Sequence, residues 1–129
     1  MINKQDFSNY WVQDIDVVKG DTLSFDFQLK DTNYGSPSQI DPKVVFTCAD
    51  ESNELFTATR SASEGIYDGI TIVGHDDRTN TTTYNVRIAP NKTKNLDVAR
   101  YYYDLEIIIG EDVFTLMRGR LALLREITT

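Results

Sequence analysis

The chain has 129 residues, of which 40% are hydrophobic and 11% aromatic, enough to form the core of one domain. It carries 13 Lys and Arg residues against 20 Asp and Glu residues, a net charge of −7, which disfavours nucleic acid and anionic membrane surfaces as partners. One cysteine, Cys48, and one histidine, His75, exclude an internal disulfide and a zinc site built from Cys or His. With neither a leader peptide nor a long apolar stretch, the sequence predicts a soluble protein made in a reducing cytoplasm.

The hydrophobic pattern has period 2 through most of the chain, which predicts β-strands. The clearest strand covers residues 22–30, where apolar and polar residues alternate without a break. Residues 12–18 form a shorter strand before it, and the Gly-containing turn at 19–21 favours a hairpin between the two. Residues 31–38 are rich in Asn, Gly, Ser and Pro, a composition typical of loops.

Further strands follow this loop toward the C-terminus. They are predicted at residues 44–49, 55–60, 66–73, 81–88, 100–109 and 113–127. Residues 90–98 interrupt the pattern and predict a single helical turn. About eight strands without a long amphipathic helix favour an antiparallel β-sandwich over a parallel α/β sheet. We therefore expect one all-β domain over residues 1–129, in which residues 1–11 form either an arm that reaches a neighbour or part of a sheet.

The segment from Leu96 to Tyr103 resembles the immunoglobulin pattern Asp-x-Ala/Gly-x-Tyr-x-Cys. In that pattern the tyrosine opens a strand, and its hydroxyl donates a hydrogen bond to a backbone group a few residues upstream. Tyr101 is predicted to be this tyrosine corner. Tyr103 stands where the second intersheet cysteine would be. The chain therefore resembles the immunoglobulin-like β-sandwich architecture and not antibody domains. The alternative is that three consecutive tyrosines are simply good strand formers.

The last two strands predict a long hairpin. A three-residue turn after Ile109 places Val113 opposite it, and the same register pairs Tyr103 with Gly119, where the ring can cover the bare backbone of the glycine. The core residues expected from this register are Tyr101, Tyr103, Leu105, Ile107, Ile109, Met117, Leu121 and Leu123.

A second set of apolar residues falls on the opposite, outer face of the hairpin, among charged residues. The candidate interface residues are Tyr102, Ile108, Phe114, Leu116 and Leu124. Contiguous exposed apolar surface rimmed by charge commonly marks a site of association. Two other interpretations stay open: the N-terminal segment with Trp11 folds over these residues, or they are scattered surface residues without a role.

No set of catalytic residues stands out. His75 lies in the charged segment 74–78, a predicted hairpin tip in solvent and not a water-excluding pocket. Cys48 is predicted to be a small core residue. Acidic pairs such as Asp76 with Asp77 lack the ligand pattern of a calcium loop and are predicted to be solvated turn charge. We expect no enzymatic activity, no cofactor and no bound metal.

A carbohydrate-binding module remains an alternative. Trp11, Tyr34 and Tyr67 are candidates to stack on the sugar rings of a bacterial surface glycan. Such a module predicts two or three exposed aromatic residues in one groove, whereas any one of them could equally be a packing residue.

The order of motifs over most of the chain resembles small virion proteins of tailed bacteriophages and prophages. The motifs that carry this resemblance are Val17–Thr22, Ile40–Pro42, Tyr101–Glu106 and Gly119–Leu121. Members of this group are typically tail or baseplate proteins, some similar to the N-terminal domain of baseplate upper proteins, with immunoglobulin-type sandwiches. This chain departs from them at residues 40–43, where Ile-Asp-Pro-Lys stands in place of a frequent Asp-Leu-Thr-Gly.

The resemblance implies a noncatalytic structural subunit of a tail or baseplate, with a head-decoration or head-fibre subunit as the close alternative. The implied partners are other virion proteins and further copies of the chain. The implied location is the virion, after synthesis in the cytoplasm of the bacterial host. The group has no catalytic residues to transfer to this chain.

Overall fold

The computed structural model describes residues 2–4, 11–30 and 42–125, with the backbone alone for residues 2–4. Within these ranges, eleven strands form a sandwich of two sheets. The strands are β1 (Ile2–Lys4), β2 (Trp11–Val12), β3 (Ile15–Val18), β4 (Leu23–Lys30), β5 (Lys43–Ala49), β6 (Glu54–Ser61), β7 (Ile66–Asp68), β8 (Ile70–Asp76), β9 (Thr81–Ile88), β10 (Ala99–Ile109) and β11 (Asp112–Leu124). The predicted loop at residues 31–38 lies outside the described ranges.

The smaller sheet has the strand order β1-β4-β9-β8, and the larger sheet has the order β2-β11-β10-β5-β6-β7, with β3 also beside β11. The cores of these orders, β4-β9-β8 and β11-β10-β5-β6, correspond to the B-E-D and G-F-C-C′ strands of immunoglobulin sandwiches. The predicted all-β sandwich is therefore confirmed. It has more strands than the expected eight because β1 is added and two of the predicted strands are each divided in two.

The N-terminal part of the chain is divided between both sheets. Residues 2–4 pair in parallel with β4, whereas β2 and β3 pair in parallel with β11. The predicted hairpin between residues 12–18 and 22–30 is therefore wrong. Gly20, at φ 93°, lies in a turn that carries the chain from one sheet to the other, which leaves β4 to pair with β9.

One side of the sandwich is closed by a single segment, which the sequence predicts as one strand at residues 66–73. The segment bends at Gly69, at φ 80°, so that β7 pairs with β6 in the larger sheet and β8 with β9 in the smaller one. The N–H of Arg87 donates to the carbonyl of Gly69 at 2.7 Å. A Cβ at Gly69 would lie 2.6 Å from the carbonyl oxygen of Arg87, so only glycine fits this crossing.

The core lies between the inner faces of the two sheets. Phe46 of β5 stacks on Tyr103 of β10 with ring centroids 5.4 Å apart, and Phe27 of β4 stacks on Tyr84 of β9 at 5.0 Å. Of the residues expected in the core from the last hairpin, all are buried except Ile109, which is partly buried. Cys48 is fully buried, as predicted.

The tyrosine corner is present at the start of β10. The hydroxyl of Tyr101 donates to the backbone carbonyl of Asp97 at 2.6 Å, and the Tyr101 ring is buried. The predicted helical turn upstream of it is a short 3-10 helix at Pro90–Lys92. Together these features fix the path by which the chain leaves the smaller sheet and enters β10.

Candidate protein-docking face on the larger sheet

The outer face of the larger sheet is built on alternate residues of β10 and their partners on the neighbouring strands. Tyr102 lies opposite Arg120, and Asp104 lies opposite Arg118. Directly paired residues of an antiparallel sheet share a face, so these four side chains lie together on the outer side. Tyr103 pairs with Gly119 as the sequence predicts, and this pair belongs to the opposite, inner side.

A β-bulge changes the register of the β10–β11 hairpin in the half nearest its turn. Leu105 pairs with Met117, but Glu106 pairs with Thr115, which leaves Leu116 as an extra residue on β11. Leu116 is 0% exposed, and the adjacent Met117 is buried as well. Two consecutive residues point into the core because the bulge breaks the alternation of faces.

The expected outer position of Phe114 and Leu116 is therefore wrong. Phe114 pairs with Ile107, which is buried, and Phe114 itself packs against the core. The turn has two residues, not the three expected, because Ile109 pairs with Asp112. Consequently Val113, which the sequence places opposite Ile109, lies on the outer face.

The exposed apolar residues of this face differ accordingly from the predicted interface. Val113 is 55% exposed, Tyr102 48% and Leu124 40%, whereas Ile108 is half-buried. Trp11 does not lie over them, since its backbone pairs beside Met117 and its side chain belongs to the inner side of the sheet edge. Val113 was missed because its exposure depends on the bulge, for which the sequence carries no separate signal.

Two carboxylates lie among these apolar residues at the centre of the face. Burial raises the pKa of Asp104, and the nearby charge of Glu54 adds to this shift while Arg118 opposes it. Burial also raises the pKa of Glu106, and the charge of Asp104 raises it further. The negative charge of each group is therefore unfavourable in the folded chain when no partner covers the face.

A groove of about 460 Å³ lies at the end of the outer face farthest from the β10–β11 turn, where β3, β10 and β11 meet. Its walls carry two carboxylates, two guanidinium groups and two exposed apolar side chains, namely Asp14, Asp16, Arg100, Arg120, Val98 and Leu124. The backbone N–H of Arg120 donates to Oδ1 of Asp14 at 3.1 Å. Mixed charges beside apolar side chains are typical of the rim of a protein interface. Asp104 and Glu106 do not line this groove.

The edge of the smaller sheet at β8 exposes further apolar side chains. Ile72 is 43% exposed and Val73 58%, and Val73 is the extra residue at a second bulge, between Ile72 and Gly74. In the described part of the chain, β9 is the strand that β8 pairs with. An exposed apolar edge strand presents backbone N–H and C=O groups that another chain can pair with.

The structure places the other two sequence candidates, His75 and Cys48, on different strands. His75 lies within β8 and not at the hairpin tip, and its Nδ1 is 2.9 Å from Oγ1 of Thr82. Burial raises the pKa of the Cys48 thiol to about 12, with a smaller contribution from the charge of Asp50. No cluster of three or more His, Cys, Asp or Glu side chains suited to a metal ion occurs among the described residues. Nor do these residues include a helix long and apolar enough to cross a membrane.

Two of the three aromatic candidates for sugar stacking, Trp11 and Tyr67, lie within the described residues and do not share a groove. Trp11 and Tyr67 lie on β2 and β7, the two opposite edges of the larger sheet. Five strand spacings of about 4.8 Å separate these edges by roughly 24 Å. Tyr34 lies outside the described residues. Trp11 and Tyr67 therefore cannot stack on the same sugar.

Comparisons with known proteins bear on the fold. No protein-family model matches the chain, and no curated protein matches it. Among solved structures, the chain is similar to part of a family 123 glycoside hydrolase from Clostridium perfringens, with a TM-score of 0.55 and 11% sequence identity. The match covers 94% of this chain and 24% of the hydrolase, so the chain spans about a quarter of that protein. At this identity the likeness shows a shared sandwich fold.

Proposed function

We propose that the protein is a noncatalytic structural subunit of a bacteriophage virion, in the tail or baseplate, that acts through contacts with copies of itself and with other virion proteins. The observation that carries this proposal is the exposure of apolar side chains on a sheet face and on a sheet edge of one small sandwich. Tyr102, Val113 and Leu124 lie on the face, and Ile72 and Val73 lie on the edge. Apolar surface of this kind marks association sites.

The two surfaces suit different kinds of contact. The outer face offers side chains of both charges around its apolar residues, as Arg118 and Arg120 alternate with Asp104 on neighbouring strands. A partner with a complementary pattern would gain both apolar burial and charge pairing. The β8 edge instead offers backbone hydrogen bonds to a strand of a second copy. If a two-fold axis relates the two copies, the same edge of each copy pairs with the other.

The resemblance of the sequence motifs to tail and baseplate proteins supports the virion role, and a head-decoration subunit is its close variant. Both roles require the same physical behaviour, which is a folded subunit that associates through these surfaces without chemical turnover.

Light scattering on the purified chain over a wide range of concentrations tests the proposal. The expected result is a discrete oligomer that dissociates when Tyr102→Asp and Leu124→Asp are combined, because two buried charges would oppose association. The matched control combines Thr22→Asp and Asn91→Asp, two exposed positions outside both the outer face and β8, and is expected to keep the oligomer. A chain that stays monomeric at every concentration would contradict self-association, and mixing with candidate virion proteins would then be the remaining test.

A further inference from the structure

A groove of about 510 Å³ lies on the smaller sheet, on the opposite side of the sandwich from the docking face. Strands β4, β8 and β9 supply most of its lining, including Gln28, Lys30, Gly74, Asp76, Thr81 and Thr83. Its volume falls in the range of about 300–1,000 Å³ found for small-molecule sites.

The floor of the groove is made of two rows of paired residues. In one row Thr83 lies between Gln28 and Gly74, and in the other Thr81 lies between Lys30 and Asp76. The amide nitrogen of Gln28 donates to the hydroxyl of Thr83 at 3.3 Å. The ammonium of Lys30 and the carboxylate of Asp76 carry opposite charges on either side of Thr81. The floor is therefore hydrogen-bonding and close to neutral.

The wall at β8 contains the second bulge, and His75 beside it contacts the neighbouring strand and the following turn. The imidazole is bonded on both sides, with Nδ1 2.9 Å from the hydroxyl of Thr82 and Nε2 3.2 Å from the carboxylate of Asp77. Gly74 leaves this wall open, since nothing lies within 4 Å of the position a Cβ would occupy. Bulges commonly occur beside binding sites, where they redirect the strand.

The polar surface continues along the sheet beyond the groove. The amide of Asn85 donates to Oδ1 of Asp26 at 2.8 Å and to the hydroxyl of Ser24 at 3.0 Å. A ligand longer than the groove can therefore lie along the sheet and find further hydrogen-bonding groups.

We propose that this groove binds a neutral oligosaccharide. Threonine hydroxyls and the glutamine amide both donate and accept hydrogen bonds, which matches the hydroxyl groups of a sugar. The described residues of the lining include no large apolar side chain for an apolar ligand, and Asp76 together with the net charge of −7 disfavours an anion.

Binding and not cleavage follows from the acids present. Glycoside hydrolysis ordinarily needs two carboxyl groups on either side of the scissile bond, whereas Asp76 is the one carboxylate among the described residues that line the groove. The proposal does not depend on the virion role, because a titration with oligosaccharides measures binding at this groove in any oligomeric state.

The test is a titration of the isotope-labelled chain, followed by the NMR shifts of its backbone amides, with tetrasaccharides of glucose, galactose, mannose and N-acetylglucosamine. The expected result is saturable shifts with at least one of these sugars, centred on Gly74, Thr81 and Thr83. Gly74→Phe fills the groove without backbone strain and is expected to abolish the shifts. Glu111→Phe places the same ring in the β10–β11 turn, at an exposed position far from the groove, and is expected to leave them unchanged.

A second variant separates loss of binding from loss of the fold. Thr83→Val keeps the shape of the side chain and removes its hydroxyl, so we expect the dissociation constant to rise roughly tenfold while the spectrum of the free protein stays dispersed. The proposal is overturned if none of the four sugars gives saturable shifts, or if the shifts persist in Gly74→Phe.

Discussion

The hydroxyl of Tyr103 donates a hydrogen bond to the backbone carbonyl of Gln13. This contact joins the core of β10 to the link between β2 and β3, across the strand that lies between them. Gly119 makes the contact possible, because a Cβ there would lie 2.1 Å from the same carbonyl oxygen. Burial raises the pKa of Tyr103, so its hydroxyl remains a donor throughout the neutral range.

Gly119→Ala is expected to destabilise the protein because the added methyl group meets the backbone of Gln13. Gln13 lies in the link between β2 and β3, and its N–H donates to the carbonyl of Arg118 at 3.0 Å, which holds this backbone against the glycine. Overpacking of this kind costs about 1–3 kcal/mol. Urea denaturation measures the change in the free energy of unfolding. Gly74→Ala is the matched control, since open space surrounds that position, and it should change stability by less than about 0.5 kcal/mol. Equal effects of the two substitutions would contradict the close approach at Gly119.

Leu116→Ala tests the bulge in β11. Because Leu116 is fully buried, its truncation should cost about 2–5 kcal/mol of unfolding free energy. Val113→Ala removes an exposed side chain of the same strand and should change stability by less than about 0.5 kcal/mol. A small effect of Leu116→Ala would instead favour the continuous register, in which this residue lies on the outer face.

Tyr101→Phe tests the tyrosine corner. The substitution keeps the buried ring but removes the hydrogen bond to the carbonyl of Asp97, so we expect a loss of about 1 kcal/mol in the free energy of unfolding. Tyr102→Phe, at the adjacent exposed position, is the control and should have little effect. If both variants unfold at the same urea concentration as the parent protein, the corner does not stabilise the fold.

Glu106→Gln should stabilise the isolated chain at neutral pH. Burial and the charge of Asp104 raise the pKa of Glu106 in the folded state, so the folded state binds more protons than the unfolded state between the two pKa values. Stability therefore falls as pH rises through this range above the ordinary pKa of 4.5. Denaturation at several pH values should show that Glu106→Gln has a larger free energy of unfolding than the parent protein at neutral pH. This difference should shrink toward acidic pH. A gain that does not vary with pH would have another cause.

Cys48 should be unreactive toward thiol reagents in the folded protein. The side chain is fully buried, and its raised pKa of about 12 leaves almost no thiolate at neutral pH. Modification by a disulfide reagent should therefore follow the unfolding of the chain, and the same chain in concentrated urea should react at once. Rapid reaction in buffer would show that β5 opens locally.

The alternation of residues along each strand is enough by itself to determine much of this fold. Residues 22–30 and 81–88 each put one face inside, and the Tyr101 motif marks a corner, because both signals depend on neighbours close in the sequence. The predicted core of β10 follows from the same local rule. So does the burial of Cys48, which lies in a strand with small or apolar residues on both faces.

The tertiary structure alone decided where these strands pair and where alternation fails. The alternation of apolar and polar residues predicts which side of a strand each residue faces, but not which sheet the strand joins. The pairing of β3 with β11 could therefore not be deduced from the sequence. The bulge at Leu116 exchanges Phe114 and Val113 between core and surface, since one inserted residue reverses every face beyond it. The groove beside Gly74 likewise arises from residues far apart in the chain, which are brought together by the pairing of β9 with β4 on one side and β8 on the other.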